Sequence, residues 1–455
     1  MRLPSRFATI AAIAVLALTS CGTGTPAQGG GITLTIAANS ISGGKNSESA
    51  DWIKQWVIPQ FEKTHRNVKV LFQPSGVDDE QYKTKVALDL KAGTAADVID
   101  LDGIWIGEFA QAGYIEPLAD VGGATVDSWS GWSQIPQAVQ GLGVFDGRKY
   151  GLPQGTDGRV LFYNKTLFAK AGLPETWNPD SWQDIIDAGT ALKAAGVPTP
   201  IQINAGSAMG EATTMQGVLP LLAGAGAEIY AQDKWTGSGQ ALKDVLRFYQ
   251  QIYGGSGLGD PELQQEAKGR DKSFARFADG KIAILAESDY FWRSVIEPGA
   301  GVAPMKDRDQ AVGYTRIPAR TPGAGIRGQD HVSMSGGAVR VLNPSSENPR
   351  LAWELLSFMH SAEATTSELA GRARVSSRTD VNDEVLAGDP MLSYIADEVL
   401  PVTAYRPGLA VYPRVSVLLQ EATAAIVSGK SPDEAAAAYQ RDLEDLAGAA
   451  HVSTS

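Results

Sequence analysis

Ile32, Leu34 and Ile36 alternate with Thr33 and Thr35, a period of two that predicts a strand with one buried face. The polar and glycine-bearing stretch from Asn39 to Asn46 ends it. From Asp51 to Lys63, Trp52, Ile53, Trp56, Val57 and Phe61 recur on roughly one helical face. Pro59 within that run predicts a kink or an interruption, because proline lacks an amide hydrogen and its ring meets the preceding turn. Val68 to Gln73 predicts a second strand, Glu80 to Lys91 a helix, and Asp97 to Leu101 a third strand. The β-α-β-α-β order points to α/β architecture.

Farther along, Asp180-Ser181 can cap a helix with Trp182, Ile185, Ile186 and Leu192 on one side and Gly196 near its end. Asn348-Pro349 opens a helix with Ala352, Leu355, Leu356 and Met359 inward, and Ser431-Pro432-Asp433-Glu434 has capping-box spacing. No internal repeat of fixed period accompanies these elements.

At 455 residues the chain exceeds what one hydrophobic core usually organises, so two lobes or domains are expected. Thirty-nine basic against 51 acidic residues leave a net charge of −12, which argues against a phosphate-backbone binder and so against a nucleic-acid partner. An apolar fraction of 43% with 20% charged residues excludes a disordered acidic chain. The single cysteine, Cys21, excludes an intramolecular disulfide and a cysteine-rich metal site.

Arg2 and Arg6 precede an apolar run from Phe7 to Leu18, the layout of a secretory signal peptide over residues 1–20. Leu18-Thr19-Ser20-Cys21-Gly22 resembles a bacterial lipobox, which implies lipidation of Cys21. Residues 21–31 then have the composition of a flexible tether. The expected location is extracytoplasmic, with the body held to the bacterial cell membrane through the lipid alone.

There is no H-E-x-x-H and no G-x-S-x-G, and the histidines at 65, 331, 360 and 451 lie far apart in sequence. No catalytic residue, metal or organic cofactor is expected. Gly323 to Gly328 matches G-x-G-x-x-G, but Pro318 and Pro322 precede it and no strand-to-helix context surrounds it, so a loop is expected.

The segments Asp97 to Tyr114, Tyr150-Gly151-Leu152-Pro153 with Leu161 to Lys165, Phe277 to Ile284, Ser335 to Val339 and Arg350 to Phe358 together resemble the extracellular solute-binding proteins of ATP-binding-cassette sugar importers, especially the maltose- and trehalose-type members. The resemblance implies a periplasmic-binding-protein-like α/β fold, with two lobes joined by a multi-strand hinge around a ligand cleft. Residues 32–150 with 315–362 are expected in one lobe, and 151–314 with 363–455 in the other. A small carbohydrate and inner-membrane permease subunits are the expected partners of a monomer.

A sugar site needs polar groups for dense hydroxyls and flat aromatic faces for the C–H surface of the ring. Asp102 stands where a strand gives way to a loop, and the resemblance places a sugar-contacting acid there; a helix cap is the other reading. Trp105 suits either ring stacking or the core. Asn39, Ser40 and Ser42 follow the first strand and suit either ligand contact or ordinary turns. Gln154, Thr156, Asp157 and Arg159 follow Tyr150 to Pro153, which resembles the family's first crossing between lobes, and can line the cleft with donors and acceptors; a solvated loop with an ion pair is the alternative. Glu287, Ser288, Asp289, Tyr290 and Trp292 follow the strand-like run Ile282 to Ala286, where the resemblance implies aromatic and polar ligand groups; in a strand, Tyr290 and Trp292 would share a face, and core packing is the alternative. Gly336 and Gly337 resemble a family backbone element that can approach sugar closely because no side chain intervenes, with a plain tight turn as the other reading. Arg374 stands where the resembled family often has proline, so it or Arg372 can meet hydroxyls or a uronic-acid carboxylate, with a surface ion pair as the alternative. Tyr405, Arg406 and Tyr412 are further candidates. Competing readings are a binder of glycerol phosphate, polyamine or peptide, and a secreted glycoside hydrolase using paired carboxylates.

Overall fold

A computed structural model describes residues 31–77, 79–299 and 301–453; the expected leader and Cys21 lie outside them. The first sheet has the strand order Val68–Pro74, Ile32–Ala38, Val98–Asp102, Ala338–Leu342, Gly151–Pro153. Its first three strands are parallel, as the β-α-β-α-β order requires, and Ala338–Leu342 runs antiparallel to both of its neighbours.

Pro59 does not interrupt its helix. Ser47–Trp52 runs through a wide turn at Ile53–Val57 into Ile58–Thr64. Widening the turn ahead of a proline moves the preceding carbonyls away from its ring, so the helix continues and still buries Trp52, Ile53, Val57 and Phe61.

The second sheet has the order Val312–Thr315, Arg159–Asn164, Ile282–Ser288, Thr199–Gln202. Every residue of Arg159–Asn164 and Ile282–Ser288 is buried, as expected for strands covered on both faces. Alternation divides the aromatic core: Phe162 meets Phe291 on one face, and Tyr163 meets Phe168 and Trp177 on the other. The Trp182–Ala194 and Pro432–Ala447 helices begin with capping boxes at Ser181 and Ser431.

Gln154 to Gly158 carries the chain from the first sheet to the second, and Gly336-Gly337 links His331–Ser335 to Ala338–Leu342. His331–Ser335 pairs with Thr403–Tyr405 in a small third sheet beside these crossings. Gly155 bridges Ser376, and the Ala362–Leu369 helix lies against Ser47–Trp52 of the first lobe, where Trp52 Nε1 donates to Ser367 Oγ at 2.9 Å. Gly323 to Gly328 lies in a turn-rich loop, with the Gly323 amide donating to Asp330. Among the described residues, no helix is long and apolar enough to cross a membrane.

Candidate ligand-binding cleft

Two adjoining cavities of about 290 Å³ and about 270 Å³ share Gln154, Ala338, Glu368, Leu369 and Arg374 and form one cleft. The larger opens at the carboxyl ends of the parallel strands Ile32–Ala38 and Val98–Asp102, the usual ligand position in an open α/β sheet. It is walled by Asn39, Ser40, Asp100, Asp102, Tyr82 and Trp105. The smaller is walled by Thr156, Asp157, Asp289, Arg293, Gly336 and Gly337 and contains no aromatic side chain.

Asp102 is a cap that also borders the cleft. Its Oδ1 accepts from the Ile104 amide at 3.0 Å and caps the short turn Gly103–Trp105, while the residue also lines the cleft. Trp105 is likewise both core and wall, packed with Ile106, Phe109 and Leu142 yet bordering the cavity. Asn39 Oδ1 and Ser40 Oγ are buried around the same cavity without a hydrogen-bond partner among the described residues, and the Gln154 amide lies toward Asp100.

Beneath the floor lies Arg340, which is 1% exposed. It stands opposite Asp100 in the antiparallel register, donates to it at 3.0 Å, and lies 3.7 Å from Glu368. Burial pushes the Asp100 and Glu368 carboxyls above their ordinary range, with Arg340 opposing the shift in both. Burial likewise raises Asp102 against the opposing Arg406 charge, and Asp289 against Arg293.

At the crossing, Asp157 accepts from the Gly336 amide at 2.7 Å and pairs with Arg159. The Arg159 guanidinium also donates to Gln216 at 3.0 Å and to the Met334 carbonyl at 3.1 Å, and Arg159 does not border either cavity.

Several other candidates stand apart from the cleft. Ser42 is engaged with Asp51 and Lys54. Glu287 is fully buried in a two-pronged pair with Arg270 at 2.7 Å. Tyr290 and Trp292 do not share a face, because the strand ends at Ser288 and the chain turns helical. Residues two apart then diverge by about 200°: Tyr290 is exposed beside Arg270 and Arg293, whereas Trp292 is buried under Arg308. Arg406, by contrast, stays beside the cleft wall near Asp102 and Gly336, and pairs with Glu211, which also accepts from Tyr412.

The cleft also gathers residues outside the expected set. Asp100 had a local signal, since it shares the Asp102 face of its strand, two positions earlier. Glu368 and Arg293 had none, because tertiary packing places them. A separate cavity of about 700 Å³ behind the hinge is lined largely by apolar residues, including Leu219, Ile229, Ile326 and Met334, and of the candidates only Tyr405 borders it.

Two consequences are testable. A Cβ at Gly337 would lie 2.2 Å from the Gly155 carbonyl oxygen, and the Gly337 carbonyl accepts from the Gly103 amide at 2.9 Å. Gly337→Ala should therefore cost about 1–3 kcal/mol in denaturant unfolding and weaken ligand binding through displacement of the Asp102 turn. Wild-type stability and affinity would show that the crossing has slack there.

The second concerns pH. Because the folded-state pKa of Asp102 is raised, its contribution to stability is fully present below the unfolded value and is lost as pH rises through the folded one. Wild type should therefore be less stable than Asp102→Asn at neutral pH, and the gap should close as pH falls toward the ordinary carboxylate range. Thermal midpoints of the two proteins across that range check the sign; a gap that widens on acidification contradicts it.

A family model described as bacterial extracellular solute-binding protein matches residues 45–366. A putative binding protein of Brucella abortus (strain 2308) is 24% identical over 429 residues, covering 94% of this chain and 94% of that protein. The sugar-binding protein MalE of Xanthomonas citri has a TM-score of 0.73 at 19% identity, with 91% of this chain and 97% of that chain covered. The cyclic alpha-maltosyl-1,6-maltose binding protein of Arthrobacter globiformis has a TM-score of 0.71 at 19% identity, with 92% and 100% covered. The structural likenesses establish the fold, and the family model spans most of the sequence: the chain belongs to the bacterial extracellular solute-binding protein family.

Proposed function

We propose that the protein is the substrate-binding component of an ATP-binding-cassette importer, capturing a disaccharide or short oligosaccharide in this cleft and handing it unchanged to a membrane permease. The observation that carries this reading is the pair of buried, unpartnered polar atoms of Asn39 and Ser40 on one cavity wall. Such groups cost free energy until a ligand pairs them, and sugar hydroxyls both donate and accept. Asp100 and Asp102 add acceptors, and Trp105 and Tyr82 add ring surface. The sugar ligands named for the two structural neighbours support the same class.

Asn39, Asp102 and Trp105 hold the sugar from the first lobe, and Asp157, Gly336, Gly337 and Arg374 meet it near the crossings. A ligand touching both lobes binds the closed form better than the open one and shifts the population toward closure. Lipidation at Cys21 would keep the protein beside its permease.

Thermal unfolding against neutral disaccharides, oligosaccharides, uronic acids, glycerol phosphates and polyamines tests the assignment. A raised midpoint with one saccharide subset, and recovery of that saccharide unchanged, is expected. A shift with polyamines or glycerol phosphates alone overturns the carbohydrate reading, and cleavage products overturn the carrier reading.

A further inference from the structure

Among the described charges that border the cleft, Arg374 is a cation and Asp102 an anion with no ion-pair contact. Asp100 and Glu368 share Arg340, Asp157 faces Arg159, and Asp289 faces Arg293. At the outer edge, Glu48 pairs with Arg372 and Asp79 with Lys45. Arg374 borders both cavities and has no hydrogen-bond or ion-pair partner among the described residues. Its side chain is exposed, so lobe closure would strip water from a guanidinium that no carboxylate of the described residues contacts. Partial desolvation and the neighbouring Arg293 and Arg372 disfavour its charge, and Glu48 and Glu368 offset this only from a distance.

We infer, on the carbohydrate reading above, that the preferred ligand is an acidic saccharide bearing one carboxylate, which Arg374 receives while an uncharged ring lies toward Asp102 and Trp105. A planar guanidinium and a carboxylate match in a two-pronged hydrogen-bonded pair. The charge is single because Arg293 and Arg372 are already matched by Asp289 and Glu48, leaving no second cation for a phosphate dianion. The smaller cavity has no ring to stack on a second sugar, but it has donors for an acid group.

The test is calorimetric titration of the purified protein with a neutral disaccharide, the same disaccharide carrying one uronic acid, glycerol 3-phosphate and inorganic phosphate, at low and high salt. The uronate should bind about tenfold more tightly than its neutral counterpart, with the advantage shrinking in salt. Arg374→Gln should remove most of that advantage, and Arg374→Lys should restore the charge but not the two-pronged geometry. A neutral sugar that binds as well as or better than the uronate overturns the inference and leaves the carbohydrate reading standing. Tighter binding of either phosphate overturns the single-charge argument, and an equal loss of both sugars in Arg374→Gln overturns the role of Arg374. Failure of every saccharide to bind removes the carbohydrate reading itself.

Discussion

Arg340→Ala should lower the unfolding free energy by about 3–5 kcal/mol, the usual cost of stranding a buried charge. Arg340 is almost wholly buried, and it neutralises Asp100 across the strand register and Glu368 from the Ala362–Leu369 helix. Trp52 lies beside it, with the guanidinium 5.2 Å from the ring centroid. Truncation leaves two carboxylates facing each other where burial already disfavours their charge. Neutralising them in the same chain, as Arg340→Met with Asp100→Asn and Glu368→Gln, should recover most of the loss. Denaturant unfolding of the two variants measures both effects. A single variant within about 1 kcal/mol of wild type would mean that water reaches the triad freely.

Arg159→Ala is expected to cost a similar amount, about 3–5 kcal/mol, and to loosen the hinge. The guanidinium joins Asp157, Gln216 and the Met334 carbonyl, and the Arg159 backbone exchanges hydrogen bonds with Ser333 Oγ. It thereby ties the start of a central second-sheet strand to the strand leading into Gly336. Unfolding and ligand titration separate two roles. Lost stability, with an affinity loss that follows it, marks Arg159 as a brace for the crossing. Intact stability with lost affinity would make it a direct ligand contact.

Local pattern was sufficient where local forces decide. The alternation at Ile32 to Ile36, the helical stripe over Asp51 to Lys63 and the caps at Ser181 and Ser431 follow from backbone geometry and neighbouring side chains, and each corresponds to an observed element. The wide turn before Pro59 was less legible, because a kink and a locally rewound helix place nearly the same residues inward. The strand-like run Ile282 to Ala286 is a strand that continues to Ser288, but helical backbone begins at Asp289, so the strand condition for a shared face fails and Tyr290 and Trp292 point in different directions.

The cleft divides along the same line. Asp102 ends a strand and Asn39 follows one, so sequence position pointed to the wall for both, whereas Gly336-Gly337 came only with the family resemblance. The Asp100–Arg340 pair joins residues 240 positions apart, and Glu368 arrives on a helix whose docking no local spacing encodes. Glu287 and Arg159 carry charge in strands buried on both faces. Their partners, Arg270 and Asp157, show only in three dimensions how that charge is neutralised.

The central claim is that the cleft at Asp102 captures the sugar. Calorimetric titration of wild type and Asp102→Asn with the saccharide that raises the thermal midpoint most is its most direct test. One site per chain is predicted, with affinity falling by about 10- to 100-fold in the variant, the worth of about 1.5–3 kcal/mol in charge-assisted hydrogen bonds, while the variant remains folded. Equal affinities in the two proteins would place the ligand elsewhere and contradict the assignment of this cleft.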